Sequence, residues 1–588
     1  MRWPLVLAAA FVGLVVYRAT VVENRFAEYV GCPDCFLFPS LSADGWLLAL
    51  MAALVLAAAN IPSRLLAAGV GLVTALLLLL YIGDLVVLQL FGIRLFFVDI
   101  AAYGVETAAV WDQLTGIFGG MGPALAVLTL LLGVCLVPVL IPALAGRWTN
   151  GLLAALMVSS LALAIVPDEP EYVNDWIYKN FLQANLHSGE SVAYSDPVAE
   201  GHQRAYEERW PHRCLDGRSE RPNVVVVVIE SWSSYQSQAF GGLYDWTPEL
   251  DAIARDHVRF TNFHAGGFST NEGLVNLLGG VRLWAPFEHF FKASEFSHAW
   301  EIERSLPGLF NEHGYRTAKL TTGPLAFMRK GEWFDHIGFD EVEGNEHPFY
   351  LDWPQISFHA PPDEALYRRS LDWIDSAGDE PYLLVMQTVT THQPYTHPET
   401  GKSDMEGTFA YADEWAAWFH DQLKDSGFFD DGVLLITSDH RSMDPVRSGE
   451  REKFGHAAPS LIPMIVVDGD WTGPSKVDQV RQLSDVLPGF EHRLSADEVC
   501  LGEFEASLFE DPPHADSCVF HLRGGERGIV NVLCDSGEGQ VRLDGDDTRF
   551  RWSEGLSDDR KARLLDAIAT ERMEGVRRFE AATEAGLE

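Results

Sequence analysis

Asn223-Val224-Val225-Val226-Val227-Val228-Ile229-Glu230-Ser231 is the stretch on which the fold turns. Five valines and an isoleucine in succession leave no polar face, so the run fits a strand buried on both sides, as in a parallel sheet covered by helices. Comparable apolar runs recur at Tyr382 to Met386, Gly432 to Thr437 and Leu461 to Val467, with helical stretches such as Pro248 to Asp256 and Thr408 to Ser426 between them. That alternation predicts an α/β doubly wound domain with a mostly parallel central sheet. In such sheets chemistry gathers beyond the carboxyl ends of strands, so the residues just after each run carry the functional reading.

The first run ends in Glu230-Ser231-Trp232, and the run at Gly432 to Thr437 ends in Ser438-Asp439-His440. Carboxylates and an imidazole at two strand ends are hard oxygen and nitrogen ligands of the kind a divalent metal takes. Singly, each signal is weak, because a carboxylate after a strand commonly caps a helix. Between them lies Gly266-Gly267-Phe268-Ser269-Thr270-Asn271-Glu272-Gly273, a glycine-flanked hydroxyl pair before an apolar helix. A helix N-cap favours the same residue types.

Taken in order, Asn223 through Glu230-Ser231, Thr247-Pro248-Glu249-Leu250, Phe260-Thr261-Asn262-Phe263, Thr270 and Thr437-Ser438-Asp439-His440 resemble the sulfatase-like branch of the alkaline phosphatase superfamily. The region from Asn223 to about Val467 resembles more narrowly the extracytoplasmic catalytic domain of lipoteichoic acid synthases and related phosphoglycerol transferases. The resemblance implies a metal site of Glu230, Thr270, Asp439 and His440, with Thr270 also the nucleophile. It further implies an arginine offered to the substrate phosphate from Phe327-Met328-Arg329, a histidine from Thr390-Thr391-His392, and a further histidine, His456, ahead of Pro459 and Pro463. Chemistry agrees: a threonine hydroxyl is a poor nucleophile near neutral pH, and metal coordination lowers its pKa. The phosphoryl transition state spreads negative charge that a cation, a planar guanidinium and imidazoles stabilise.

Several features depart from the family pattern. Sulfatases need Cys or Ser with Pro and Arg two and four residues on, whereas Thr270 is followed by Asn271, Glu272, Gly273 and Leu274, which argues against sulfatase chemistry. Glu230 comes after Ile229 rather than a second acid, which favours one metal, Mn²⁺ or Zn²⁺. Arg441 stands after His440 where a glycine is common in the wider superfamily. Ser269 competes with Thr270, with the register favouring Thr270.

The chain is also divided by charge. Its 43 Lys+Arg against 83 Asp+Glu give a formal net charge of −40 over 588 residues, which excludes a nucleic-acid binder that relies on phosphate contacts. Met1 to Val166 holds 6 Arg, no Lys and 8 acids, so −38 falls on the remainder. Within that quarter, Trp3 to Tyr17, Trp46 to Ala59, Leu65 to Ile82, Pro123 to Ala145 and Leu152 to Val166 predict five membrane spans. The first has the charged start of a signal peptide, but no small-residue cleavage site precedes Arg18, so it reads as a retained anchor. Three arginines fall on each side of the predicted membrane, which leaves orientation open. An odd number of spans carries an inside N-terminus to an outside C-terminal domain, and four cysteines in that domain, with Cys32 and Cys35 in the first loop, suit the same oxidising compartment.

The predicted organisation is therefore a transmembrane region over 1–166, a juxtamembrane connector over 167–221, a catalytic domain over 222–490 and a C-terminal appendage over 491–588. In the connector, Trp176, Ile177, Phe181, Leu182 and Leu186 recur at helical spacing, which suits an interfacial helix or a packed linker equally. Lys476 to Leu487 reads as a closing helix, the segment holding Cys500, Cys518 and Cys534 as a small β appendage, and Glu554 to Leu587 as a terminal helix. The expected activity is transfer of a phospholipid head group, phosphoglycerol first, to an envelope glycan or lipid through a covalent threonine. Phosphoethanolamine transfer, ester hydrolysis and a catalytically inactive membrane-anchored assembly factor are the rivals.

Overall fold

The computed structural model describes residues 13–21, 33–91, 180–187, 194–209, 213–283, 304–510, 517–523 and 526–584, together with 94, 95, 97, 155 and 302. The chain divides into two compact units, residues 1–189 with 444–448, and residues 190–443 with 449–588.

In the first unit, two helices, Pro33–Asn60 and Arg64–Phe91, contain the second and third apolar runs. Both outrun the predicted bounds because the charges that interrupt the apolar pattern are neutralised by partners. Arg18 and Asp44 are buried and paired at 2.9 Å, Tyr81 Oη donates to Asp44 at 3.2 Å, and Arg94 lies 3.1 Å from Asp84. Charges inside apolar helices persist when paired in this way. Arg64–Leu88 is, among the described residues, one helix long and apolar enough to cross a membrane, while Ala43–Ala58 is shorter. Leu65, Leu66, Leu72, Val73, Leu76 and Leu79 project from that long helix, an apolar face suited to lipid. Only the end of the first run, within 13–21, is described. Pro123 to Ala145 lies outside the described residues, as does Leu152 to Val166 apart from residue 155. The five-span region predicted from sequence is thus seen only in part.

The second unit is built on an eight-stranded sheet. Its strands are β1 (Asn223–Val228), β2 (Val258–Phe260), β3 (Arg316–Thr321), β4 (Glu341–Glu343), β5 (Tyr382–Gln387), β6 (Gly432–Thr437), β7 (Met464–Asp468) and β8 (Lys476–Val477). Their spatial order is β8-β2-β7-β6-β1-β5-β3-β4. β1 sits at the centre, parallel to β5 and β6, and its valines alternate between two cores: Val224, Val226 and Val228 on one face, Val225, Val227 and Ile229 on the other. This two-sided burial is what the unbroken valine run reports.

The sheet is mixed rather than simply parallel, because β7 runs antiparallel to both β6 and β2. An apolar run records burial on both faces and carries no information about strand direction. The closing helix expected at Lys476 to Leu487 is also corrected. Lys476–Val477 pairs with β2 and Arg481–Gln482 pairs with Phe263–His264, and the helix there spans Val486–Leu494. Arg481 is buried and donates to Ser517 at 2.8 Å, so tertiary partners override local helix preference.

Cys518–Arg523, Glu526–Cys534, Gly537–Arg542 and Arg549–Glu554 form a four-stranded antiparallel sheet, after which comes the helix Asp558–Glu584. Disulfides join Cys214 to Cys500 and Cys518 to Cys534. Cys32 lies outside the described residues.

Candidate active site

β1, β5 and β6 end level: Val228 pairs with Gln387 on one side and Thr437 on the other. The residues that leave these three strands must therefore meet at one carboxyl edge. Glu230, Thr388 to His392, and Ser438 to His440 do so.

Glu230, Asp439 and His440 are buried, and one ligand atom from each lies within 4.8 Å of the others. His440 Nε2 is 3.3 Å from Glu230 Oε1 and 3.6 Å from Asp439 Oδ2. The Thr270 hydroxyl reaches into the same space, 3.3 Å from both Glu230 Oε2 and His440 Nε2. Thr270 is the first residue of the Thr270–Gly279 helix, whose preceding turn is held by Glu272 Oε2, which accepts from Phe268 N at 2.5 Å and Ser269 N at 3.0 Å. Ser269 turns its hydroxyl to Asn271 instead, so of the two candidate nucleophiles it is Thr270 that faces the cluster.

The backbone around Glu230 is fixed by hydroxyls that the sequence did not single out. Thr388 Oγ1 accepts from Glu230 N at 3.0 Å, and Thr391 Oγ1 donates to Glu230 O at 2.6 Å. Ser231, at φ 61°, donates to Glu230 Oε1 at 3.0 Å and from its N–H to Asp439 Oδ1 at 3.1 Å.

Electrostatics describe what the cluster can hold. Burial opposes ionisation of Glu230, yet the hydrogen bond and charge of His440 hold its carboxyl well below the usual range. Burial and the Glu230 charge push Asp439 up, while His440, which burial would discharge, is held above its usual value by Asp439 and Glu230. Asp439 Oδ2 is buried and, among the described residues, takes no hydrogen bond. Two close buried carboxylates, an imidazole and an unused carboxylate oxygen fit a single divalent cation of the Mn²⁺ or Zn²⁺ type.

The predicted substrate groups are divided. His392 lies in the field of Glu230 and His440; burial pushes its pKa down against the pull of Glu230, and its Nδ1–H donates to Gln393 O at 2.7 Å. Arg329 is bound to Glu332 through Nε at 3.1 Å and Nη2 at 2.7 Å. His456 packs against Trp552 of the C-terminal sheet, with ring centroids 4.1 Å apart and the planes tilted by 39°. Sequence reasoning missed Lys330. Burial pushes this ammonium down while the charges of Glu230 and Asp439 act to raise it. Left-handed Met328 and Arg329, at φ 57° and 55°, turn the chain between the two cations. Their adjacency in sequence offered no means of choosing one. Buried Lys319, under the influence of the same Asp439, is a second missed cation.

Comparison with known proteins places this geometry. A profile of the Sulfatase family matches residues 222–493. The chain is 22% identical over 414 residues to lipoteichoic acid synthase 1 of Bacillus subtilis, covering 64% of this chain and 62% of that protein. It is 27% identical over 247 residues to phosphoglycerol transferase I of Escherichia coli, covering 38% of this chain and 31% of the relative. The match therefore spans less than two thirds of either relative's length. In fold, it is similar to a protein in the alkaline phosphatase superfamily from Vibrio parahaemolyticus, with 18% identity and a TM-score of 0.53 over 67% of this chain and 98% of the other. Residues 222–493 thus match the model of the Sulfatase family, and the fold that carries them is similar to that of a protein in the alkaline phosphatase superfamily.

Proposed function

We propose that the chain is a multi-pass membrane enzyme, metal-dependent, that transfers a phospholipid head group through a covalent bond to Thr270. Phosphoglycerol is the head group we favour and an envelope glycan or lipid the acceptor. The observation that carries this reading is the convergence of Glu230, Asp439 and His440 on the Thr270 hydroxyl, at the start of a helix.

Glu230, Asp439, His440 and the Thr270 oxygen would hold one divalent cation. When bound, that ion supplies a lowered pKa for the threonine hydroxyl and positive charge for the phosphoryl oxygens. Thr270 Oγ1 forms a bond to phosphorus as the bond from phosphorus to the diacylglycerol oxygen breaks, and that oxygen leaves with a proton. An acceptor hydroxyl then attacks the same phosphorus, loses its proton and releases Thr270. Lys330 would neutralise charge on the equatorial oxygens, and His392, held neutral by burial, would hydrogen-bond to the phosphoryl group. Arg329 and His456 would join them by leaving Glu332 and Trp552.

We further propose that all five apolar runs in 1–166 cross the membrane, that 167–221 is a connector, and that 222–490 is an extracytoplasmic catalytic domain with 491–588 appended. The apolar Arg64–Leu88 helix supports the first point, and two disulfides in the second unit support the placement. Incubation of the purified protein with labelled phosphatidylglycerol or phosphatidylethanolamine tests the reading. Diacylglycerol release from the first and not the second is expected, and release from neither, with metal bound, would overturn it.

A further inference from the structure

Next to His440 stands a side chain that the proposed chemistry leaves unused. Arg441 is 3% exposed and its partner Glu450 1%. The contact is a two-pronged fork: Nε donates to Oε2 at 3.0 Å and Nη2 to Oε1 at 2.7 Å. The third guanidinium nitrogen, Nη1, donates to Ser442 O at 2.5 Å, and the Tyr235 ring covers the guanidinium with its centroid 5.2 Å from Cζ. So large a buried charge needs its partners, and here they pin it from several directions.

What the fork holds is the backbone on either side of the peptide between residues 441 and 442, at Arg441 through its own side chain and at the Ser442 carbonyl through Nη1. One end of that peptide, Ser442 N–H, donates to Ser233 Oγ at 2.8 Å, and Ser233 Oγ in turn donates to Ser231 O at 3.0 Å, beside Glu230. The other end, Arg441 O, lies 2.9 Å from His440 Nδ1. A carbonyl oxygen only accepts, so His440 Nδ1 must carry a proton. The remaining nitrogen, Nε2, is then the one presented to Thr270, Glu230 and Asp439.

We propose that the Arg441–Glu450 pair is a positioning device for His440: it fixes the Arg441 carbonyl, which fixes the imidazole tautomer and aims Nε2 as a metal ligand. Hydrogen bonding of a ligand histidine's other nitrogen to a carbonyl is a general means of raising metal affinity, and its loss typically costs about 10- to 100-fold. Arginine's planar fork is essential here, because lysine offers one ammonium and no bidentate geometry. The proposal rests on the reading of Glu230, Asp439 and His440 as the metal site.

The test uses the full chain in detergent, with Mn²⁺ and Zn²⁺ titrated by calorimetry into wild type, Glu450→Gln, Arg441→Lys and the double variant Arg441→Leu/Glu450→Leu. The double variant removes both buried charges together and guards against misfolding of the single ones. In parallel, ¹⁵N resonances of His440 are read in the metal-free proteins at alkaline pH, where the imidazole is neutral and its tautomer is defined. Wild type is expected to bind one ion and to hold His440 with the proton on Nδ1. All three variants are expected to bind about 10- to 100-fold more weakly and to show mixed tautomers. Equal affinity and an unchanged tautomer in the folded double variant would overturn the positioning role. Absence of metal binding by wild type would instead overturn the metal-site reading, and the tautomer comparison would still report on the pair.

Discussion

At the scale of single residues, the site and its surroundings make separable demands. Lys330 and Arg329 are adjacent; the charges of Glu230 and Asp439 act on Lys330, and Arg329 is paired with Glu332. A charge-assisted contact to phosphate is worth about 1.5–3 kcal/mol, so Lys330→Met should lower kcat/KM for the lipid by roughly 10- to 100-fold. Arg329→Met should cost less, and steady-state kinetics of the two variants compares them. His264 illustrates a demand unrelated to catalysis. It is buried, bonded through Nδ1 to Ser460 Oγ and through Nε2 to Asn262 Oδ1, both at 2.8 Å. Burial, with His521 adding, pushes its pKa from 6.5 down to about 3. Below 6.5 the unfolded chain takes up a proton that the folded chain refuses. Stability from this group is therefore intact above 6.5 and falls as pH drops toward 3, by at most about 5 kcal/mol. Denaturant unfolding of wild type and His264→Asn at pH 7.5 and 4.5 should show a pH-dependent loss about 2–3 kcal/mol smaller in the variant. Equal losses would contradict it.

At the scale of elements, the helix Thr270–Gly279 and the loop after β6 are held together by the absence of a side chain. A Cβ on Gly273 would lie 1.9 Å from the Asp439 carbonyl oxygen, a backbone atom that cannot swing aside. Gly273→Ala should therefore part Thr270 from Asp439 and His440, abolishing metal binding and lowering Tm together. A variant that keeps wild-type metal affinity would show that the close approach is dispensable. These elements also show what was legible in the chain. The valine run, the helix Pro248–Asp256 and the strand Gly432–Thr437 arise directly from burial and periodicity, which are local properties. The direction of β7, the short strands at 476–477 and 481–482, and the turn that separates Lys330 from Arg329 depend on partners distant in sequence, and no local pattern encodes them. In the site, the residue types of Glu230, Thr270, Asp439 and His440 stood out because they come after strands or open a helix. The supporting hydroxyls of Thr388 and Thr391 did not, since threonine in a loop has many ordinary uses.

At the scale of the whole molecule, the net charge of −40 sits almost wholly outside the apolar quarter, on a unit proposed to take an anionic lipid. A bound cation with Lys330 must reverse that field locally, so chelation should suppress lipid binding as well as turnover. Lipid-vesicle cosedimentation of the chain with catalytic metal removed and restored checks this. The Cys214–Cys500 disulfide closes a separation of 286 residues and ties the strand Arg213–Leu215 to Val499–Leu501. Replacing both cysteines with serine should cost about 2–5 kcal/mol, read as a lowered Tm in wild type treated with reductant and in the variant alike. The covalent step at Thr270 links the metal cluster, the membrane and the acceptor, and it is tested most directly by mass spectrometry. Protein loaded with metal and given phosphatidylglycerol without acceptor should yield a peptide in which Thr270 carries phosphoglycerol, absent in Thr270→Ala. Diacylglycerol release with Thr270 unmodified, or continued head-group transfer by Thr270→Ala, would contradict it.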